Sequence, residues 1–146
     1  MIKKFNHVGI AVKELEKAID FFEKTYGAKL IKRDRYEDQQ FETALVGINA
    51  MHLELIAGLS PESFIARFIK DRGEGIHHMS LEVEQFEEVI KDLKAKGLKV
   101  LGEADNADFK ACFIHPQGNL GILTEIIEPK GEDTKAPTGT RTSTGG

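Results

Sequence analysis

Apolar and polar positions alternate over residues 5–12, with Val8, Ile10 and Val12 set against His7, Gly9 and Ala11. This period of two predicts a strand. The period then lengthens: Leu15, Ala18, Ile19, Phe22 and Tyr26 recur at helical spacing over 14–26, and Gly27 supplies a helix-ending signal. Three short strands are expected next, over 28–36, 41–48 and 51–57, with Gly47-Ile48-Asn49 turning the last two. Residues 60–72 predict a linking helix, with Ser60 as N-cap, Pro61 at the first helical position and Phe64, Ile65, Phe68 and Ile69 on its apolar face. Gly73 and Gly75 end it.

The order then starts again. Met79, Leu81 and Val83 alternate along a strand over 77–83, and Phe86, Val89, Ile90 and Leu93 mark a helix that Gly97 stops. Strands over 98–101, 110–115 and 121–127 follow, the last two joined by a turn at Pro116-Gln117-Gly118-Asn119. Residues 1–57 and 76–128 thus each read β-α-β-β-β, an internal repeat of one module within a single domain over 1–128. From 129 to 146 the chain is rich in Gly, Thr, Ser and Lys and reads as a polar tail.

The repeat singles out four residues. His7 and His78 stand 71 positions apart, and so do Glu54 and Glu125; each His precedes its Glu by 47. Each His opens the first strand of its module, and each Glu lies in the last. Both carboxylates sit among apolar neighbours, Leu53, Leu55 and Ile56 for one and Leu123, Ile126 and Ile127 for the other. A charge on such a strand needs a partner if its face points inward. Taken singly, a Glu or His of this kind is usually a solvated or hydrogen-bonded polar residue. Four in matched register point instead to a divalent-metal site. Two imidazoles with two carboxylates suit Co²⁺, Mn²⁺, Ni²⁺, Zn²⁺ or Fe²⁺ better than Ca²⁺, and four ligands leave two octahedral positions open for catalysis. His52 shares the face of Glu54 and is a weaker supporting candidate. His77, one position off register, reads as structural, and His115 before Pro116 as a turn residue.

Composition adds limits. The 146 residues are 40% hydrophobic, enough for a core without disulfides. A net charge of −4 gives no sign of a nucleic-acid surface. Cys112 is the lone cysteine, which fits a reducing cytoplasm and reads as a small buried residue, not a nucleophile. Lys3 and Lys4 precede no long apolar run, so no signal peptide is expected, and no stretch reaches membrane-spanning length.

These residues resemble the vicinal oxygen chelate superfamily of glyoxalase I, bleomycin-resistance proteins and extradiol dioxygenases, and within it the methylmalonyl-CoA epimerases. The resemblance rests on His7-Val8-Gly9-Ile10-Ala11-Val12, on Phe64-Ile65-Ala66-Arg67-Phe68-Ile69 with Arg72-Gly73-Glu74-Gly75-Ile76-His77-His78, and on Phe113-Ile114-His115-Pro116 with Gly121-Ile122-Leu123-Thr124-Glu125. It implies an α+β fold in which the two tandem βαβββ modules form a curved, partly open mixed sheet around the metal site. It also implies an acyl-CoA substrate, a homodimer, and epimerisation by proton removal and return at a carbon whose negative charge a metal stabilises. Glu125 would then be both ligand and base. Glu42 falls near the position of the opposite base, with a solvated strand residue as its other reading. Two segments depart from the epimerase pattern. Residues 104–110 lack its glycines, and Gln117-Gly118 replaces a Lys-Ser pair. Two other functions remain open: a glyoxalase-type lyase or dioxygenase on the same ligands, and a metal-free small-molecule binding protein of the same fold.

Overall fold

The computed structural model describes residues 1–131, so residues 132–146 of the expected tail lie outside the described residues. The elements run β1 (Ile2–Ala11), α1 (Leu15–Tyr26), β2 (Lys29–Tyr36), β3 (Phe41–Ile48), β4 (Met51–Gly58), α2 (Phe64–Arg72), β5 (Gly75–Val83), α3 (Phe86–Ala95), β6 (Val100–Asp105), β7 (Phe109–Ile114) and β8 (Thr124–Pro129). This is the expected α+β class with the βαβββ order given twice. The chain divides into two compact units. Among the described residues, one is Val8–His77; the other joins Met1–His7 to residues 78–131. Each cut falls beside a histidine singled out above. Among the described residues no helix is long and apolar enough to cross a membrane.

In the unit Val8–His77 the strand order is β2-β3-β4-β1. The β1–β4 pair is parallel and the other two are antiparallel, so the sheet is mixed. Strand alternation gives it two apolar faces. Ala44, Val46, Leu55 and Ala57 pack with Leu15 and Ile19 of α1 on one. Ala11, Tyr36, Phe41 and Ile56 pack with Ile65 of α2 on the other. α1 ends as its sequence predicts: Gly27 takes a left-handed conformation (φ 69°), and the N–H groups of Gly27 and Ala28 donate back to Glu23 and Phe22 carbonyls.

The other unit orders its strands β5-β8-β7-β6, with the first half of β1 beside β5. Again one pair, β5–β8, is parallel, and two are antiparallel. Phe86, Val89 and Ile90 of α3 close over Val83, Cys112, Ile114 and Ile126. Phe109, Ala111 and Ile127 form a smaller cluster across the sheet.

Several boundaries differ from the sequence expectation, among them β1, which begins at Ile2, and three have a clear local cause. α2 begins at Phe64 and its N-cap is Ser63, whose Oγ accepts from Ala66 N at 3.0 Å; Ser60 instead accepts a turn hydrogen bond from Ser63 N. Capping geometry chose between two serines that composition alone ranks equally. β6 runs on to Asp105 because its register shifts between Leu101 and Ala104, at Gly102 with φ 59°. β8 starts at Thr124, since Gly121 at φ 78° and the Asn119 side chain, donating to Ile122 O and Thr124 Oγ1, prolong the turn.

Candidate metal centre

Three of the four singled-out residues lie in the unit formed by Met1–His7 and the chain from His78. All three are buried: His7 and Glu125 are 0% exposed and His78 is 2% exposed. His7 Nε2 stands 3.2 Å from His78 Nε2 and 3.8 Å from Glu125 Oε1. The two imidazoles meet edge to face, and the His78 ring is held edge-on by Phe113, with centroids 5.6 Å apart. Parallel pairing of β5 with β8 sets Ser80 beside Glu125, and Ser80 Oγ donates to Glu125 Oε1 at 2.8 Å. Behind His7, Nδ1 lies 2.7 Å from Asn6 Oδ1, and Asn6 Nδ2 donates to Glu82 Oε2 at 3.0 Å.

This donor set fits a divalent cation. Metal–imidazole bonds of about 2.0–2.1 Å place neighbouring ligand atoms roughly 3 Å apart, and the two Nε2 atoms have that spacing. His7 Nδ1 is engaged by Asn6 Oδ1, and Nε2, on the other side of the ring, faces His78 Nε2.

Glu54 lies in the other unit, on β4, and is 4% exposed. It sits beside Gly9 in the parallel pair with β1 and opposite Leu45 in the antiparallel pair with β3. Gly9 is two residues from His7, so alternation gives both one face of β1. His52 shares the face of Glu54 and is half-buried. Glu42 does not. It pairs with Ala57 and with Arg35, the register of β3 on β4 runs unbroken to Ile48, and two residues on is Ala44, packed beneath α1. Its carboxylate therefore emerges on the α1 side of the sheet, opposite Glu54, and accepts from Arg35 Nη1 at 3.2 Å. Glu42 thus stands as a strand residue paired with Arg35 on the sheet face opposite Glu54, a placement set by a pairing register that no local pattern reveals.

The comparisons bear on this geometry. The family model described as the glyoxalase/bleomycin resistance protein/dioxygenase superfamily matches residues 6–115. The chain belongs to that superfamily. It is 34% identical to the ethylmalonyl-CoA/methylmalonyl-CoA epimerase of Cereibacter sphaeroides, over 86% of this chain and 98% of that one. It is 30% identical to a lactoylglutathione lyase of Neisseria meningitidis, over 89% and 94%. Among solved structures, the methylmalonyl-CoA epimerase of Mycobacterium tuberculosis superposes with a TM-score of 0.81 at 28% identity, covering 92% of this chain and 93% of that one.

The remaining candidates of this superfamily member fall into place on local contacts. His77 packs against Phe64 and Phe68. His115 Nδ1 accepts from Gln117 N and closes the turn. Cys112 is buried, and burial first, then Glu103 and Glu125, pushes its thiol up to about 12, as suits an inert core residue. Sequence reasoning missed Ser80, Asn6 and Glu82. For Ser80 and Glu82 a signal existed, since both follow His78 at strand spacing and so share its face. Asn6, one residue before His7, carried none.

Burial first, and then Arg72, lowers the His77 pKa to about 4. A folded-state pKa below the unfolded value near 6.5 means that the unfolded chain takes up the proton first as pH falls. His77 should thus cost stability progressively from about pH 6.5 down to about 4, by on the order of 3 kcal/mol. Urea unfolding at pH 7 and pH 4.5 for the protein and its His77→Phe variant checks this. An identical pH dependence in both would refute it.

Proposed function

We propose that this protein is a metal-dependent epimerase acting on methylmalonyl-CoA. Its divalent cation (Co²⁺, Mn²⁺, Zn²⁺ or Ni²⁺) would be held by His7, Glu54, His78 and Glu125. The observation that carries the reading is the buried pair of Nε2 atoms facing each other with Glu125 Oε1 beside them. The epimerases among its relatives supply the substrate class. Bound there, a divalent cation supplies Lewis-acid stabilisation of the negative charge that develops as a proton leaves a carbon between thioester and carboxylate. The chain's own residues do the rest. The Ser80 hydroxyl donates to Glu125 Oε1 and so orients that carboxylate. Glu125 then takes the C2 proton from one face as general base, and inversion is completed by a proton delivered to the opposite face, for which solvent is the source in this scheme. Phe113 and the neighbouring apolar side chains keep bulk water from the imidazoles. Glu54 adds the second negative charge, supported by its burial and its place beside Gly9. Glu42 has no part in this scheme. The reading includes a homodimer in a reducing cytoplasm, in keeping with a lone buried cysteine.

Proton exchange at C2 tests the proposal. Metal-loaded protein incubated with methylmalonyl-CoA in D₂O should incorporate deuterium at C2. His7→Ala should lose both bound metal and exchange, whereas Glu42→Gln should exchange within about threefold of the unaltered protein. No exchange with Co²⁺, Mn²⁺ or Zn²⁺ present overturns the epimerase reading. The lactoylglutathione lyase relative favours one alternative, isomerisation of a glutathione hemithioacetal, and turnover of that substrate without C2 exchange would establish it.

A further inference from the structure

Glu82 is a carboxylate buried to 2% exposure on β5, in a strand whose other face is apolar. Burying a charge is costly unless it is paired and hydrogen-bonded. Its pairing is specific. Oε2 accepts from Asn6 Nδ2 at 3.0 Å, while the Lys3 and Lys4 ammonium groups lie 3.8 and 3.7 Å away and balance the charge. A carboxylate only accepts, so it dictates which end of the Asn6 amide faces it. The NH₂ must point at Glu82. The carbonyl is thereby turned to His7, 2.7 Å from Nδ1. A carbonyl in turn accepts only an N–H, so His7 carries its proton on Nδ1 and presents a bare Nε2 to the ligand cluster.

We infer that Asn6 and Glu82 are positioning residues that set the tautomer and ring orientation of His7 for metal binding. The inference rests on the metal-centre reading above and deepens it. The arrangement is peculiar to one half of the repeat. The 71-residue offset makes Ala11 the counterpart of Glu82 and His77 the counterpart of Asn6, and neither can repeat the relay: Ala11 has no carboxylate, and His77 packs on Phe64 and Phe68. The rival account is a purely structural one, in which Glu82 anchors the amino-terminal lysines and Asn6 only fills space. The two differ in what they predict for His7.

Metal-free protein labelled at the His7 ring nitrogens should show the Nδ1–H tautomer by ¹⁵N NMR. Titration with Co²⁺, followed by its visible absorption, should give an affinity about 10- to 100-fold weaker for Asn6→Leu, the usual range for loss of a ligand's outer partner. Glu82→Gln should also weaken binding, because its amide no longer dictates the Asn6 orientation. The double variant Asn6→Asp with Glu82→Gln restores an acceptor toward His7 and a donor behind it, and should recover most of the loss. A Nε2–H tautomer in the unaltered protein, wild-type Co²⁺ affinity in Asn6→Leu, or no recovery in the double variant would each overturn the inference. If the unaltered protein binds no Co²⁺, the metal-centre reading falls instead, and the tautomer still decides whether the relay exists.

Discussion

Glu125→Gln is expected to reduce deuterium exchange at C2 by about 10²- to 10⁴-fold, the usual contribution of a positioned general base. The substitution is nearly isosteric. Glu125 is 0% exposed and receives the Ser80 hydroxyl, a contact that a glutamine carbonyl oxygen can keep. What is lost is the charge and the ability to take a proton. The same change removes one anionic ligand of the proposed site, so metal content should be measured alongside exchange. Exchange lost at full metal occupancy assigns the effect to the base. Exchange and metal lost together assign it to ligation, and exchange at the unaltered rate removes Glu125 from the mechanism. Ser80→Ala separates positioning from chemistry. Without the hydroxyl the carboxylate remains but its orientation does not, so the loss should be smaller than for Glu125→Gln.

Phe41→Ala should have the largest effect on stability. Phe41 is 1% exposed, stacks on Tyr36 with centroids 4.6 Å apart, and meets Phe64 edge to face at 5.3 Å. It packs with Ala11, Ile56 and Ile65 on the face of the sheet that also carries Glu54. Removing a buried phenyl ring costs its transfer free energy and leaves a cavity, about 3–5 kcal/mol together. Equilibrium urea unfolding should show a midpoint lower by about 1–5 M, given slopes of about 1–3 kcal/mol per molar. A loss below about 1 kcal/mol would mean that Tyr36 and Phe64 collapse into the space. Phe21, half exposed on the outer side of α1, is the contrasting position, and Phe21→Ala should change stability little.

The proton-transfer prediction depends on a residue that its spacing singled out, while the Glu42 control depends on one that only the family resemblance suggested. Both outcomes have the same origin. Strand and helix periods are local, so residues 5–12 and 77–83 declare their faces within a few positions. A repeat adds long-range information at no cost. The 71-residue offset links His7 to His78 and Glu54 to Glu125 without any knowledge of pairing. Glu42 has no counterpart in that offset, and its face depends on how β3 is registered against β4. A shift of one residue would reverse it.

The chain alone therefore settled the doubled βαβββ order, the α+β class and the helix-ending role of Gly27, and it named the His and Glu candidates. Each follows from short-range periodicity or from the repeat. The tertiary structure decided the rest. Parallel pairing of β5 with β8 put Ser80 on Glu125, and unbroken pairing of β3 with β4 turned Glu42 toward α1. A contact across 76 positions joined Asn6 to Glu82. Such contacts link residues that share no local pattern. They form only when strands far apart in the chain settle into one register, and the hydrogen bonds that orient an imidazole or a carboxylate exist only after that register is chosen.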